Sequence, residues 1–315
     1  MRELNSNTSL QALRNLQANR YKRITKGNVK FIPSGYPLLE ETINDFESGT
    51  ITIIAGCPGD GKSTIVHGTA LWAVDRGKRV MIVDGEHTQG RLINDLYMKV
   101  IGYNKNNYDL VRFNNKWIKE PKQHILDQLV DWHKDNLLLY SRNLAKEIDS
   151  LDALFTLLEL YVKQYKIDYV VLDNMVSLIF ADTEDTNKAQ SLFIKRVKKL
   201  ADVHNVAIVL VAHPNKTVQR GEEFEYYQIA GNSDVVNLSD NIIAVWREFD
   251  PHKDADGYMA VKKNRNYGTL KQTALKYMEE TKTLAEIEGG TVHVKTIDIF
   301  MKGEQQWEKT ETSPF

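Results

Sequence analysis

Apolar positions along the chain fall into two alternating patterns. Short continuous runs, rich in β-branched residues, recur at "TITIIAG" (50–56), "RVMIVDG" (79–85), "DYVVLDN" (168–174), "VAIVLVAH" (206–213) and "NIIAVW" (241–246). Runs that are apolar at successive positions, rather than at every second one, predict strands covered on both faces. Between them the apolar residues return with a helical period. Leu151, Leu154, Phe155 and Leu158 follow a capping Ser150 at i, i+3, i+4 and i+7, and Phe193, Val197, Leu200 and Ala201 repeat the spacing. "STIVHGTALWAVDR" predicts an amphipathic helix that stops at Gly77. Strands alternating with helices imply an α/β fold with a doubly wound, mainly parallel sheet. Past residue 257, "GYMAVKKNRNYG", "QTALKYMEE" and "TVHVKTIDIF" read as an antiparallel finish. The stretch 103–124 is polar and aperiodic, and is expected to be a surface excursion. No internal repeat or low-complexity tract interrupts the pattern.

Composition narrows the class. At 315 residues and 26% charged, the chain can form one large domain with small extensions. Its apolar runs are too short to span a bilayer, the N-terminus lacks the apolar core of a signal peptide, and a single cysteine, Cys57, excludes an internal disulfide. These features read as cytosolic. A formal charge of −1 supplies no global field for nucleic acid, so any such binding depends on local Lys and Arg. The first 30 residues carry seven Lys/Arg against Glu3 alone, and Ser9 is a candidate cap for a short helix with Leu10, Leu13 and Leu16 on one side.

The candidate chemistry centres on "GCPGDGKST", residues 56–64, with the spacing G-x-x-x-x-G-K-S. Gly56 and Gly61 permit a tight turn, with Cys57, Pro58, Gly59 and Asp60 between them, whose backbone N–H groups face phosphates. The following helix adds the positive end of its dipole. Lys62 is expected at the β/γ-phosphates, Ser63 on magnesium and Thr64 at the α-phosphate. A second acidic metal ligand is expected at the end of a buried strand, where Asp173 stands. Asn174 follows it, so the group that polarises the attacking water must come from another strand. "VMIVDGEHTQ" offers Asp84 and Glu86, which spacing does not rank. Cys57 reads as a small filler in the loop.

Together with the stretch leading up to it, "IPSGYPLLEETINDFESGTITIIAGCPGDGKST", the loop resembles the start of the RecA-like motor domain of hexameric replicative helicases, the DnaB-like family, over roughly residues 31–285. The later motifs are most similar to the phage primase–helicase and Twinkle branch. The resemblance implies a RecA-like P-loop NTPase fold, ATP or another NTP such as dTTP as nucleotide, Mg2+, single-stranded DNA and a ring of six copies. It selects Glu86 over Asp84 as the catalytic acid and matches Asp173 to the magnesium-coordinating one. It also makes His213 in "LVAHPNK" a sensor of the γ-phosphate. In "IAGNSDVVNLSDNIIAVWRE" and beyond, it implies that Arg247 and Tyr277 sandwich the base. "VKKNRNYG" resembles the family's K-x-R segment, with Lys263 and Arg265 as its two cations, and the resemblance implies that Arg265 reaches the γ-phosphate held by a neighbouring subunit.

The same resemblance places DNA-facing loops at about 180–189 and 214–230, with Lys188, Lys216 and Arg220 as candidate contacts. Both loops carry as many acids as bases or more, and backbone N–H groups would have to help hold phosphates. The basic segment 1–30 is expected to be a linker to the adjacent subunit, and 286–315 an extension without a counterpart. That leaves no room for a primase domain, so the chain is expected to be a motor working with a separate primase or loader, or one part of a longer primase–helicase. The alternative is a RecA-like, DNA-stimulated ATPase for recombination or regulation that does not unwind. A small-molecule kinase fits less well, because the trans-acting arginine pattern has no use there.

Overall fold

The structure, a computed structural model, describes residues 29–141, 148, 150–179, 186–231, 233–294, 296–297 and 299. The helix expected after Ser9 lies outside these residues. In chain order the elements are β1 (Phe31–Ile32), α1 (Pro37–Ile43), β2 (Phe46–Glu47), β3 (Ile51–Ala55), α2 (Lys62–Asp75), β4 (Val80–Asp84) and α3 (Gln89–Ile101). There follow β5 (Tyr108–Phe113), β6 (Lys116–Pro121), α4 (Gln123–His133), β7 (Leu137–Ser141), α5 (Leu151–Gln164), β8 (Tyr169–Asp173), α6 (Met175–Leu178), α7 (Thr186–His204) and β9 (Ala207–Ala212). The chain finishes through α8 (Ser233–Leu238), β10 (Asn241–Arg247), β11 (Gly257–Asn264), β12 (Gln272–Met278), β13 (Thr283–Glu288) and β14 (Thr291–His293).

Among the described residues, ten strands form one sheet in the order β14-β13-β12-β11-β10-β3-β9-β8-β4-β7. The six from β10 to β7 are parallel, and β11 to β14 extend the sheet antiparallel. The expected α/β architecture with an antiparallel finish is therefore present. β3, β4, β8 and β9 are buried at every position, as their unbroken apolar runs require. One face of the sheet packs on α1–α4 through residues such as Ile65, Leu96 and Leu129. The other packs on α5, α7 and α8 through Phe155, Phe193, Val197 and Val235. Ser150 caps α5 by accepting from Ala153 N at 3.2 Å, and Gly77 ends α2 at φ 70°.

Three details depart from the sequence expectation. α2 is buried around most of its surface rather than on one stripe, because α1, α3 and α4 cover the side turned away from the sheet. Within the surface excursion expected over 103–124, residues 108–121 form a β-hairpin. Asn114 and Asn115, at φ 46° and 63°, make the two-residue turn, and β6 is largely exposed, so no apolar alternation marks it. The boundary expected after residue 285 falls inside β13, and β14 pairs beyond it. No helix among the described residues is long and apolar enough to cross a membrane.

Candidate functional site

The C-terminal edge of the parallel strands carries the phosphate loop between β3 and α2. A Cβ on Gly56 would lie 2.4 Å from Val245 O, so only glycine lets the chain leave β3 so close to β10. Gly61 caps α2 at φ 95°, which leaves the N–H groups of the helix's first turn facing out of its end. Lys62, Ser63 and Thr64 occupy that turn. Lys62 is buried with Nζ donating to Cys57 O at 2.9 Å; burial holds its pKa below the usual lysine value, against the pull of Asp60 and Asp173. Asp60 folds back into the loop and accepts from Cys57 N at 2.8 Å. Pro58 and Gly59 form its exposed tip. Cys57 is buried with Sγ 3.9 Å from Val218 O, and burial raises its thiol pKa, as befits a packing residue.

β4 and β8 end side by side in register, Asp84 opposite Asp173. Asp84 is 1% exposed. Its Oδ1 accepts from Glu86 N at 2.8 Å and His87 N at 2.7 Å, and Oδ2 lies 2.8 Å from His87 Nδ1. Both oxygens thus hold the turn that follows β4, whereas Glu86 projects beyond it and is exposed. The Glu86 carboxylate accepts from Asn174 Nδ2, which stands 3.5 Å from His213 Nε2. His213 Nδ1 is 3.2 Å from Gly56 O. A carbonyl only accepts, so Nδ1 carries the proton and Nε2 is left to accept from the Asn174 amide. Burial, then the nearby Lys62, lower the His213 pKa, which favours this neutral form. Glu86, Asn174, His213 and the first glycine of the phosphate loop therefore form one polar chain. Asn174 was not among the candidate residues. Its only sequence signal is an amide directly after the acid that ends β8.

Asp173 is buried and burial raises its pKa, opposed by the His67 imidazole and by a hydrogen bond from Ser63. Its Oδ2 has no hydrogen-bond partner. A buried carboxylate oxygen left bare beside a serine hydroxyl at the mouth of a phosphate loop suits a divalent cation, so Ser63 and Asp173 fit the implied magnesium.

An AAA domain family model matches residues 22–219, more than half of the chain. The chain belongs to that family. Its fold is shared with a separately solved ATPase domain, at 16% identity and TM-score 0.70 over 88% of this chain and 99% of that one. A DnaB-like replicative helicase, solved in a study of its interactions with primase, aligns at 16% identity and TM-score 0.69. There 86% of this chain covers 65% of the other. A KaiC-like protein from Pyrococcus horikoshii OT3 aligns at 13% identity and TM-score 0.59, over 82% and 99%. The RecA-like fold expected from the DnaB-like resemblance is thus the fold observed. No curated protein matches the sequence.

Among the described residues, two clefts flank the phosphate loop. One, of about 510 Å³, runs from Lys62, Ser63 and Thr64 to His67, Asp95 and Arg91. The other, of about 330 Å³, is bounded by Gly59, Thr64, Trp246, Arg247, Tyr277 and Leu284, so Arg247 and Tyr277 both line a cleft beside the loop. Tyr277 is fixed by its backbone N–H, which donates to Asp256 Oδ2 at 2.8 Å.

Lys263 and Arg265 are elsewhere. Lys263 Nζ donates to Val236 O at 2.6 Å and Ser239 O at 2.7 Å, tying down the end of α8. Burial and the neighbouring Arg265 pull its pKa to about 8. Arg265 Nη1 lies 3.4 Å from Asp240 Oδ1, and Nη2 donates to Asn237 O. Arg265 N bonds Asp240 O, at the start of β10, while the phosphate loop leaves beside Val245. Five residues of strand separate the two points, about 16 Å at 3.3 Å per residue, which is beyond the reach of an arginine side chain.

Of the candidate DNA contacts, Lys188 and Lys216 are exposed. Residues 180–185 of the first loop lie outside the described residues. Arg220 leans over the phosphate loop from the segment 214–230. Its Nη2 comes within 2.9 Å of where a Gly59 Cβ would stand and its Nε within 3.8 Å of Asp60 Oδ1, while its guanidinium sits 5.4 Å from the Phe249 ring centre. The carboxylate and the ring flank a side chain that stays about half exposed. On α7, Lys195, Arg196 and Lys198 are paired with Asp234, Asp152 and Asp240, an ordinary charged face.

Proposed function

We propose that this AAA domain is the motor of a ring-shaped, NTP-driven replicative DNA helicase that hydrolyses nucleotide between subunits and moves along single-stranded DNA. One observation carries the reading. Lys62, Glu86, Asn174, Asp173 and His213 converge on the phosphate loop, while Arg265, the cation expected at the γ-phosphate, sits about 16 Å away along the strand direction. A site built this way is completed by a second copy whose Arg265 edge meets the first copy's loop. Such a heterologous contact repeats around a ring.

The residues then divide the work. The loop's N–H groups and Lys62 bind the triphosphate, and Arg247 and Tyr277 hold the base. Ser63 and Asp173 hold the magnesium ion, which when bound neutralises charge on the phosphate oxygens. Glu86 accepts a hydrogen bond from, and so orients, the attacking water. Asn174 fixes the Glu86 carboxylate and links it to His213, so that whatever moves one moves the other. His213 immediately precedes the segment 214–230, which gives the γ-phosphate site a direct mechanical connection to the candidate DNA loop. Lys263, braced on the end of α8, sets the position of the strand end from which Arg265 reaches the neighbour. The likeness to a DnaB-like replicative helicase studied with primase brings helicase action and a separate primase to the proposal. The motif resemblance to that family brings the ring of six.

A second reading, a RecA-like DNA-stimulated ATPase without unwinding, is favoured by Arg220, which turns one of the two loop cations toward the nucleotide. Unwinding of a labelled fork, with ATP and dTTP compared in magnesium buffer, separates the two. Strand separation that depends on Lys62 supports the helicase; hydrolysis stimulated by oligo-dT without separation leaves the second reading. Particle images with a non-hydrolysable nucleotide and oligo-dT are expected to contain closed rings, and monomers alone would count against both.

A further inference from the structure

Behind the phosphate loop is a group of buried side chains that phosphate binding does not require. His67 stands on α2 one turn after Ser63, which puts the two side chains on the same helix face. That face looks onto the ends of β4 and β8, where the register sets Asp84 beside Asp173. One ligand atom from each of His67, Asp84 and Asp173 can be chosen so that all lie within 4.8 Å of one another, with His67 Nε2 3.8 Å from Asp173 Oδ2. His67 is 2% exposed and Asp173 3%, yet both imidazole nitrogens and Asp173 Oδ2 make no hydrogen bond. Burying an imidazole and a carboxylate oxygen held only by contacts longer than a hydrogen bond is expensive, and such groups usually mark something that binds there. Donor atoms around one ion at metal–ligand distances near 2.1 Å stand about 3–4 Å apart, so the His67–Asp173 pair is already at that spacing and the group as a whole needs to close only slightly.

The surroundings support the same assignment. On its far side His67 Nδ1 is 3.5 Å from Asp95 Oδ2, and Lys99 Nζ is 3.1 Å from that oxygen. A carboxylate behind a histidine is the arrangement that orients an imidazole for metal binding by holding the proton on the other nitrogen. His67 and Asp95 both line the phosphate-side cleft, which gives an ion a route in.

We propose that His67 Nε2, Asp84 and Asp173 form a mixed nitrogen–oxygen site for a divalent transition-metal ion, selecting Mn2+, Co2+ or Zn2+ over Mg2+. The selectivity follows from the imidazole, which suits transition metals, whereas magnesium prefers oxygen ligands and keeps its waters. The site shares Asp173 with the proposed nucleotide site but needs no nucleotide. An ion there would tie the Asp173 carboxylate to α2 before any triphosphate arrives.

Mn2+ is the probe. Titration of the nucleotide-free chain, followed by loss of the free-ion EPR signal, is expected to reveal one site that an equal concentration of Mg2+ does not empty. Pulsed EPR of the loaded wild-type chain is expected to show ¹⁴N coupling from one imidazole. His67→Gln is expected to abolish that coupling and weaken binding at least ~10-fold, and Asp95→Asn to weaken it by roughly 10-fold through the lost orienting contact. Absence of a Mn2+ site without nucleotide, or a bound ion lacking ¹⁴N coupling, overturns the proposal and assigns His67 to an ion-pair bridge between Asp95 and Asp173. The wild-type spectrum decides even if a variant fails to fold. Fork unwinding in magnesium reports on the helicase reading separately, so either proposal can fail alone.

Discussion

Arg265→Ala tests the subunit-interface reading most directly. In the isolated chain Arg265 is about half exposed, and its charged partner Asp240 is a buried acid that keeps other partners when the arginine goes: Ile51 N at 2.9 Å and Lys198 Nζ at 3.1 Å. A half-exposed ion pair of this kind is worth about 0–1 kcal/mol. The fold should therefore survive, with thermal unfolding lowered by no more than about 2–4 °C. An arginine that neutralises a transferring phosphoryl group contributes roughly 10³-fold or more in rate, or about 4 kcal/mol. The two expectations differ by several kcal/mol, so melting and steady-state phosphate release with oligo-dT discriminate between them. Mixing sharpens the test. Arg265→Ala and Lys62→Ala chains, each inactive alone, should regain activity together, because an interface combining one chain's Lys62 with the other's Arg265 is intact. In a random equimolar ring about a quarter of interfaces qualify. An Arg265→Ala chain within ten-fold of wild type, or a mixture no more active than its parts, would refute the assignment.

Three further outcomes follow from the site. Tyr277→Ala and Arg247→Ala should each raise the KM for nucleotide about 5-fold while kcat changes little, since a stacking contact of roughly 1 kcal/mol acts on ground and transition states alike; a selective fall in kcat would mean that neither merely holds the base. Arg220→Ala should weaken nucleotide binding measured without DNA by roughly 5-fold, the loss of one charge-assisted contact, and leave oligo-dT binding intact; the reverse pattern would return Arg220 to the DNA loop. His213, whose pKa is lowered from 6.5, binds fewer protons folded than unfolded, so stability should fall as pH drops through 6.5 toward the lowered value. His213→Gln should flatten that part of a urea-denaturation profile, and a profile as steep as wild type would show that another group titrates there.

What the sequence reveals and what it conceals divide along physical lines. The buried parallel strands announce themselves because burial on both faces demands unbroken apolar runs, and the phosphate loop does so because close approach and positive φ demand glycine. Spacing leaves Asp84 and Glu86 unranked, and the family resemblance alone selects Glu86. The fold separates them by burying Asp84, which braces the turn after β4, and leaving Glu86 to project from that turn, a difference that spacing does not contain. The hairpin at 108–121 stays hidden because an exposed two-stranded ribbon has no buried face to enforce alternation; only Asn114-Asn115 betrays it. Asn174 and His67 are harder still. Each gains its chemistry from partners 88 residues away at Glu86 and 106 away at Asp173 (174 − 86 and 173 − 67), brought together only when β4 and β8 lie side by side beneath α2. Arg220 shows the converse. On a polar, loop-like stretch its charge suggests DNA, but the carboxylate of Asp60 and the ring of Phe249, 160 and 29 positions away (220 − 60 and 249 − 220), draw it onto the phosphate loop. A motif names the residues that backbone geometry constrains; the residues that tune the site are constrained only by neighbours in space.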